Sequence, residues 1–347
     1  MVVSSFASQH AAEGSDGPRS SGRLSHHPKE WAGRQGESKQ DGVGLRLPAR
    51  RYSPGAAAVD RPLPCKESPS TAVPRFAVIG DPIAHSASPS LFRWLAASLG
   101  LPLTYEAIRV PAGSLPAVLE QARAGRWDGL SVTIPHKQDA LVLSDRAAPG
   151  AARTGAANCL VRSAEGRLVA HNTDVEGLVH ALARHGRTFA GSAVLLLGAG
   201  GAARAGAMAA RDGGASRLWI ANRHPARALD LASAFDGEAI PLSAQALGPV
   251  LPRADLVLQA TSVGLDAAED SPLPRGCVVH DRVTVMDMVY RPLRTRLLRD
   301  AEAAGARTID GLWMLVFQGL AALRLWTGAE PGPEVAVALH AHLAEGG

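Results

Sequence analysis

Ten residues constrain this chain more than any others: Leu195-Leu196-Leu197-Gly198-Ala199-Gly200-Gly201-Ala202-Ala203-Arg204. An aliphatic run leads into glycines and then into an alanine-rich stretch, the pattern of a buried strand, a tight turn and a helix. Gly198, Gly200 and Ala203 fit G-x-G-x-x-A, in which the first glycine makes the turn and the second lets the backbone approach a pyrophosphate. The small third residue lets helix and strand pack closely. The helix N-terminus then offers unpaired N–H groups and the positive end of its dipole. A glycine-rich turn in an Ala/Gly-rich chain is the plain alternative. The surrounding pattern favours the dinucleotide, because a strand at Ser192–Leu197, a helix at Ala202–Asp212, a strand at Arg217–Ala221 and a helix at Ala226–Phe235 complete the unit.

The end of the second strand discriminates between cofactors. An NAD site places an acid there to hold the ribose 2′-hydroxyl, and this chain has Asn222-Arg223-His224. A guanidinium suits a 2′-phosphate through charge-assisted, bidentate hydrogen bonds, so NADP(H) is expected. A solvated surface arginine would look the same, and Arg227 follows closely.

The same alternation occurs once before this unit. Strands are predicted at Phe76–Ile79, Tyr105–Val110 and Gly129–Ile134, with helices at Pro89–Leu99 and Leu115–Ala124; Asp255–Ala260 and Thr284–Met288 add strands to the later unit. Two α/β domains with open, mainly parallel sheets follow. Gly311–Trp326 is apolar nearly all round, with Arg324 its only charge, so it is expected to be a buried helix returning to the first domain. The expected division is a tail at 1–74, a substrate-binding catalytic domain at 75–171 completed by helices at 311–347, and a dinucleotide-binding domain at 172–310.

Residues 1–74 are rich in Ser, Gly, Pro, Arg and His without helical or strand period, the composition of a disordered segment. Met1–Ala12 lacks the basic start and apolar block of a secretory signal, and Glu13 and Asp16 argue against an organelle transit peptide. A start codon placed upstream of the folded part would leave the same pattern. This segment carries 10 Lys/Arg against 7 Asp/Glu, while the remainder carries 26 against 25. The net charge of +4 therefore comes mostly from the front, and no basic stripe on the folded part suggests a nucleic-acid partner. No apolar run is long enough to span a membrane. Cys65, Cys159 and Cys277 form neither a CxxC pair nor an even framework, which points to a reducing, cytoplasmic setting. The 12 histidines contain no HExxH, and no G-x-S-x-G elbow occurs. Metal-free hydride chemistry remains, and it needs a proton donor or acceptor beside the reacting carbon.

Several polar groups fall where strands of the first domain end. In Gly80-Asp81-Pro82-Ile83-Ala84-His85-Ser86-Ala87-Ser88-Pro89, Ser88 takes the N-cap position and Pro89 follows as N1. Ser86 is not explained by capping, and two hydroxyls beside a helix N-terminus make a plausible carboxylate site. Thr133, Pro135 and Lys137 close another strand, where open sheets bind ligands, although a lone lysine is usually solvated. Asp174, in His171-Asn172-Thr173-Asp174, reads as a catalytic acid or, nearly as well, as an ordinary N-cap. Asn158 reads as a turn residue or a ligand contact. Gln318 needs a buried partner or a ligand on its apolar helix.

His85-Ser86-x-Ser88-Pro89, Val132-Thr133-Ile134-Pro135-His136-Lys137, Gly155-Ala156-Ala157-Asn158, Asn172-Thr173-Asp174 and Gly198-Ala199-Gly200-Gly201-Ala202 occur in order. Asn222-Arg223, Ala260-Thr261-Ser262, Met288-Val289-Tyr290 and Asp310-Gly311-Leu312 follow. Together they resemble the shikimate dehydrogenase family, from about Phe76 to the C-terminus. The resemblance implies reversible, NADPH-dependent reduction of 3-dehydroshikimate to shikimate in aromatic amino acid biosynthesis. It implies Lys137 and Asp174 as the catalytic pair and Ser86 and Ser88 as carboxylate binders. Thr133, Asn158, Asp174 and Gln318 would surround the ring hydroxyls, with Tyr290 close by. Gly198, Gly200, Gly201, Ala202, Asn222, Arg223, Thr261 and Gly311 would hold NADP(H). A monomer or homodimer acting on a small-molecule substrate fits. The chain departs from the family at His224, commonly Thr, and at Trp313, often Gly, where an indole is expected to narrow the nicotinamide end of the cleft or to shift substrate preference. A quinate/shikimate dehydrogenase of broader specificity is the nearest rival, with Arg223 counting against an NAD-linked one. A non-catalytic NADPH-binding regulator would need neither Lys137 nor Asp174, and a methylenetetrahydrofolate dehydrogenase fits the paired serines poorly.

Overall fold

The computed structural model describes residues 72–346. The disorder expected of the front segment falls, but for residues 72–74, outside them. The first sheet is built from β1 (Arg75–Gly80), β2 (Thr104–Arg109), β3 (Gly129–Val132), β4 (Arg146–Ala147), β5 (Cys159–Arg162) and β6 (Leu168–His171). Helices α1 (Ser88–Leu99), α2 (Leu115–Arg123), α3 (Lys137–Val142) and α4 (Pro149–Thr154) lie between the strands, and α5 (Asp174–Arg184) follows them. The strand order is β2-β1-β3-β5-β6-β4. β1 runs parallel to both its neighbours, whereas β5 runs antiparallel to β3 and β6. The sheet is mixed around one reversed strand because β5 and β6 form a tight hairpin closed by a turn at Ser163–Gly166.

The second sheet contains β7 (Ala193–Leu197), β8 (Arg217–Asn222), β9 (Glu238–Pro241), β10 (Leu256–Gln259), β11 (Thr284–Asp287) and β12 (Arg307–Ile309). Helices α6 (Gly201–Asp212), α7 (Pro225–Ala234), α8 (Ala244–Leu247) and α9 (Arg296–Ala303) connect them. Its order, β12-β11-β10-β7-β8-β9, is parallel throughout. Read from β9, this is the doubly wound 3-2-1-4-5-6 arrangement, whose switch point lies between β7 and β10. Close packing explains the small residues of α6. Ala203, Ala205, Ala207 and Ala210 are fully buried, and a Cβ at Gly206 would sit 3.2 Å from the Leu196 side chain.

The chain ends in α10 (Gly311–Thr327) and α11 (Pro333–Ala344). Both pack on α1, so the C-terminal helices return to the first sheet as expected. α10 also crosses α5 at close range: a Cβ on Gly177 would lie 2.9 Å from the Met314 carbonyl oxygen. Arg324 is balanced across that crossing by a bidentate pair with Glu176, at 2.9 and 2.7 Å. The indole of Trp326 stacks on Phe76 at 4.6 Å and donates to the Leu160 carbonyl.

Candidate active site

The crossing of α5 and α10 beside the first sheet brings together polar groups that lie far apart in sequence, from Lys137 to Gln318. Lys137 opens α3 and Asp174 opens α5. Lys137 Nζ donates to Asp174 Oδ2 at 2.5 Å, with both side chains largely buried. Asn158 Nδ2 donates to the other carboxylate oxygen at 2.9 Å, and also to Thr173 Oγ1 at 2.9 Å and Gln318 Oε1 at 3.3 Å. Asn158 Oδ1 accepts from Thr173 N at 2.6 Å. Gln318 Nε2 donates to the Leu315 carbonyl at 2.8 Å, so this glutamine has the buried partners its helix position demanded. A buried ion pair survives only when its remaining lone pairs are satisfied, and Asn158 does that here.

The reading of Asp174 as an N-cap does not hold. Asn172 Oδ1 accepts from the backbone N–H groups of Asp174 and Val175, at 3.1 and 3.3 Å, and so caps α5. Asn172 is itself held by the Ala156 carbonyl. The Asp174 carboxylate is thereby left for Lys137. The same exchange occurs at α1. Ala87 occupies the cap position and Ser88 begins the helix, while Ser86 Oγ accepts from Ser88 N at 3.3 Å. Ser86 is therefore the hydroxyl that serves the turn, and the buried Ser88 hydroxyl is the one without a capping role, the reverse of the sequence expectation. Between them Ala87 lines a cavity with Tyr290, Arg291 and Leu312, which puts Tyr290 on the serine side of the site. Thr133 reaches over the β1–α1 connection, where a Cβ on Gly80 would collide with its methyl group.

The glycine turn faces this cluster. A Cβ on Gly201 would stand 2.9 Å from Lys137 Cδ, so the start of α6 abuts the lysine stem. Gly198 has φ +121°, and a Cβ there would lie 2.9 Å from the Ala260 carbonyl oxygen, at the switch point between β7 and β10. Only glycine combines that dihedral with that approach. Gly200, by contrast, is exposed, and a Cβ there would meet nothing within 4 Å. Thr261 organises the turn after β10: its Oγ1 accepts from Gln259 Nε2 at 2.9 Å and from Val263 N at 3.1 Å. Gly311 abuts Met288 and Val289 too closely for any side chain, with a Cβ 2.7 Å from both carbonyl oxygens. Asn222 Oδ1 accepts from His224 N at 2.8 Å, which shapes the turn carrying Arg223. Arg223 and Arg227 are exposed, and neither has an ion-pair partner among the described residues. Exposed backbone at a helix start, a tight glycine turn and free guanidinium groups suit a phosphorylated dinucleotide.

Trp313 does not wall the crevice. It is 8% exposed and packs in the core, stacked on His340 at 3.9 Å, with the Arg184 guanidinium 4.6 Å from its ring centre. Two contributors escaped sequence reasoning. Gln259 is fully buried and ties Thr261 to Val263, and Tyr105 hydrogen-bonds Ser131 in the first sheet. Neither lies in a recognisable motif, and only a polar residue at a buried strand position would have drawn attention to Gln259. No group of three or more His, Cys, Asp or Glu side chains able to hold a metal occurs among the described residues. No helix among them is long and apolar enough to cross a membrane.

Comparison with known proteins matches three family models in order: the shikimate dehydrogenase substrate binding domain over residues 78–160, shikimate/quinate 5-dehydrogenase over 181–273, and the shikimate 5′-dehydrogenase C-terminal domain over 311–337. The shikimate dehydrogenase (NADP(+)) of Thermus thermophilus is 44% identical over 259 residues, which is 75% of this chain and 94% of that protein. A crystal structure of the shikimate 5-dehydrogenase from Thermus thermophilus, in complex with NADP(H) and shikimate, superposes with a TM-score of 0.70 at 41% identity, covering 78% of this chain and 99% of the other. A quinate dehydrogenase from Corynebacterium glutamicum in complex with NAD gives the same TM-score, 0.70, at 29% identity and covers 78% and 99% of the two chains.

Proposed function

This chain belongs to the shikimate dehydrogenase family, and on that premise we propose that it catalyses the reversible, NADPH-dependent reduction of 3-dehydroshikimate to shikimate. One observation carries the reading: Lys137 and Asp174 form a buried 2.5 Å pair whose lysine stem touches the glycine turn at Gly201. In this reading residues 75–171 with 311–347 form the substrate side and 172–310 the cofactor side, and the setting is the cytosol, where Cys159 and Cys277 remain thiols.

When bound, NADP(H) supplies or accepts the hydride. Removing hydride from a secondary alcohol requires its hydroxyl proton to leave as well. The Lys137–Asp174 pair takes that proton during oxidation and returns it during reduction, and the ammonium steadies the developing oxyanion, help worth about 10²–10⁴-fold. Asn158 holds Asp174 from the opposite oxygen, which fixes the carboxylate plane so that a remaining lone pair can accept from a substrate hydroxyl. Asn158, Thr133 and Gln318 contact ring hydroxyls; Ser86, Ser88 and Tyr290 take the carboxylate. Gly198, Gly200, Gly201 and Ala202 hold the pyrophosphate at the start of α6. Asn222 and Arg223, with Arg227 nearby, take the 2′-phosphate, while Thr261 and Gly311 flank the nicotinamide side.

An exposed arginine where an NAD enzyme carries an acid favours NADP(H), and with it shikimate over an NAD-linked quinate activity. The test is to mix the purified protein with shikimate or quinate and with NADP⁺ or NAD⁺, and to follow reduced-nicotinamide absorbance. Shikimate with NADP⁺ gives the highest kcat/KM. Faster turnover of quinate with NAD⁺ would refute the assignment.

A further inference from the structure

Tyr105 sits on β2, the outer strand of the first sheet, yet its hydroxyl points inward. It donates to Ser131 Oγ at 2.8 Å, and Ser88, one helical turn before the Phe92 that stacks on this ring, brings its side chain up to the same phenol. Both serines are buried, at 7% exposure for Ser88 and 8% for Ser131. The ring is clamped: it stacks on Phe92 at 4.2 Å and 13°, and Phe92 in turn meets Trp326 at 5.2 Å. The phenol therefore cannot swing away without breaking a packed aromatic cluster. Burial pushes its pKa upward, so it keeps its proton.

Ser86 and Ser88 are not equivalent in this arrangement. Ser86 Oγ is engaged by the backbone of α1, whereas the buried Ser88 side chain has no such backbone duty and lies on the helix face that packs against Tyr105. A hydroxyl donates a stronger hydrogen bond to an anion when its own oxygen accepts one, because chained hydrogen bonds polarise each other. Three rotatable hydroxyls in a row allow this. On arrival of a carboxylate, the protons align from Ser131 to Tyr105, from Tyr105 to Ser88, and from Ser88 to the anion.

We propose that Tyr105 is a positioning residue for the substrate carboxylate, acting through Ser88. The proposal rests on Ser88 being a carboxylate binder in the reading above. Tyr105→Phe keeps the ring stack and removes only the hydroxyl.

The test measures steady-state kinetics with NADP⁺, and shikimate Kd by calorimetry, for Tyr105→Phe, Ser88→Ala and the double variant, with the methyl ester of shikimate as a second substrate. Tyr105→Phe raises KM and Kd for shikimate about fivefold, the scale of one neutral hydrogen bond. The KM for NADP⁺ stays put, and the effect shrinks with the ester, which lacks the anion. The double variant is no worse than Ser88→Ala alone. If Ser88→Ala raises KM but Tyr105→Phe does not, or if the two effects multiply, Tyr105 does not act through Ser88 and the proposal is overturned. If Ser88→Ala itself leaves KM unchanged, it is the carboxylate-binder reading that fails, and the proposal with it. A Tyr105→Phe defect shared equally by the ester and by NADP⁺ would mark a structural role only and also overturn it. Ser131→Ala, at the far end of the row, gives a smaller rise of the same kind.

Discussion

Two buried aspartates, one at the start of α5 and one at the end of β11, live in opposite surroundings. Asp174 is 4% exposed and has a cation against one oxygen and an amide against the other. Asp287, at the end of β11, is fully buried, and its carboxyl receives only neutral donors, Thr295 Oγ1 at 2.7 Å and Val289 N at 2.9 Å. Desolvation dominates there and lifts the Asp287 pKa from 3.8 to about 6, against the lowering effect of those two hydrogen bonds. The contrast separates a carboxylate matched to a cation from one matched only to neutral donors, and Asp287 with those donors fixes the loop that leads to Tyr290. It extends to the two sites as wholes. The groups around Lys137 and Asp174 are side chains that hold one another, whereas the glycine turn and the end of β8 offer backbone shape and guanidinium groups with no ion-pair partner among the described residues.

Breaking the charged pair has the largest consequence. Asp174→Asn keeps the shape but removes the charge, and kcat with shikimate falls by at least about 10²-fold while Kd for NADPH is unchanged; titration of NADPH fluorescence and initial rates decide this together. Next comes the guanidinium. Arg223→Asp lowers the kcat/KM ratio of NADP⁺ over NAD⁺ about 100-fold, the scale of lost hydrogen bonds to a charged group plus new repulsion, and unaltered cofactor selectivity would remove Arg223 from the site. Gly198→Ala forces a side chain into φ +121° and toward the Ala260 carbonyl. Kd for NADPH rises about tenfold through backbone strain, with Kd for shikimate unaffected. An equal loss of both affinities would show that the two sides are not separable.

The smallest effect concerns Asp287 and stability. Its folded pKa, about 6, lies above its reference value of 3.8. Between those values the folded state binds the proton more tightly than the unfolded chain does. The contribution of Asp287 to stability is therefore lost as pH rises through that window. Asp287→Asn abolishes this titration, so the variant's Tm relative to the parent's climbs from pH 4 to about pH 6.5. A constant difference across that range would mean that the Asp287 carboxyl is not desolvated in the fold.

Much of this was legible in the residues because long aliphatic runs and glycine turns are local signals. β7, the glycine turn and α6 fall where the G-x-G-x-x-A pattern puts them, and the apolar α10 is buried as its all-round hydrophobicity requires. The reversed β5 was not legible: four residues on a hairpin carry no sign of direction. Capping was misassigned at α1 and left open at α5 for one reason. A side chain one or two positions upstream, Ser86 or Asn172, reaches the same N–H groups as a residue placed at the cap, and spacing alone does not distinguish them. Trp313 was misread because a helix residue beside a ligand loop can point either way, and here it turns toward His340. The pairing of Lys137 with Asp174 is a tertiary event, made when α3 and α5 start at the same end of the sheet.

That pairing is where the account is most exposed. Lys137→Met retains the aliphatic stem that packs on Gly201 and removes the ammonium, so kcat for NADP⁺ reduction and the calorimetric Kd for shikimate can be compared in one protein. The expected outcome is a fall in kcat of about 10²-fold or more with Kd for shikimate shifted only a few-fold. A variant that folds, binds shikimate and turns it over at the parent rate would contradict the role given to Lys137.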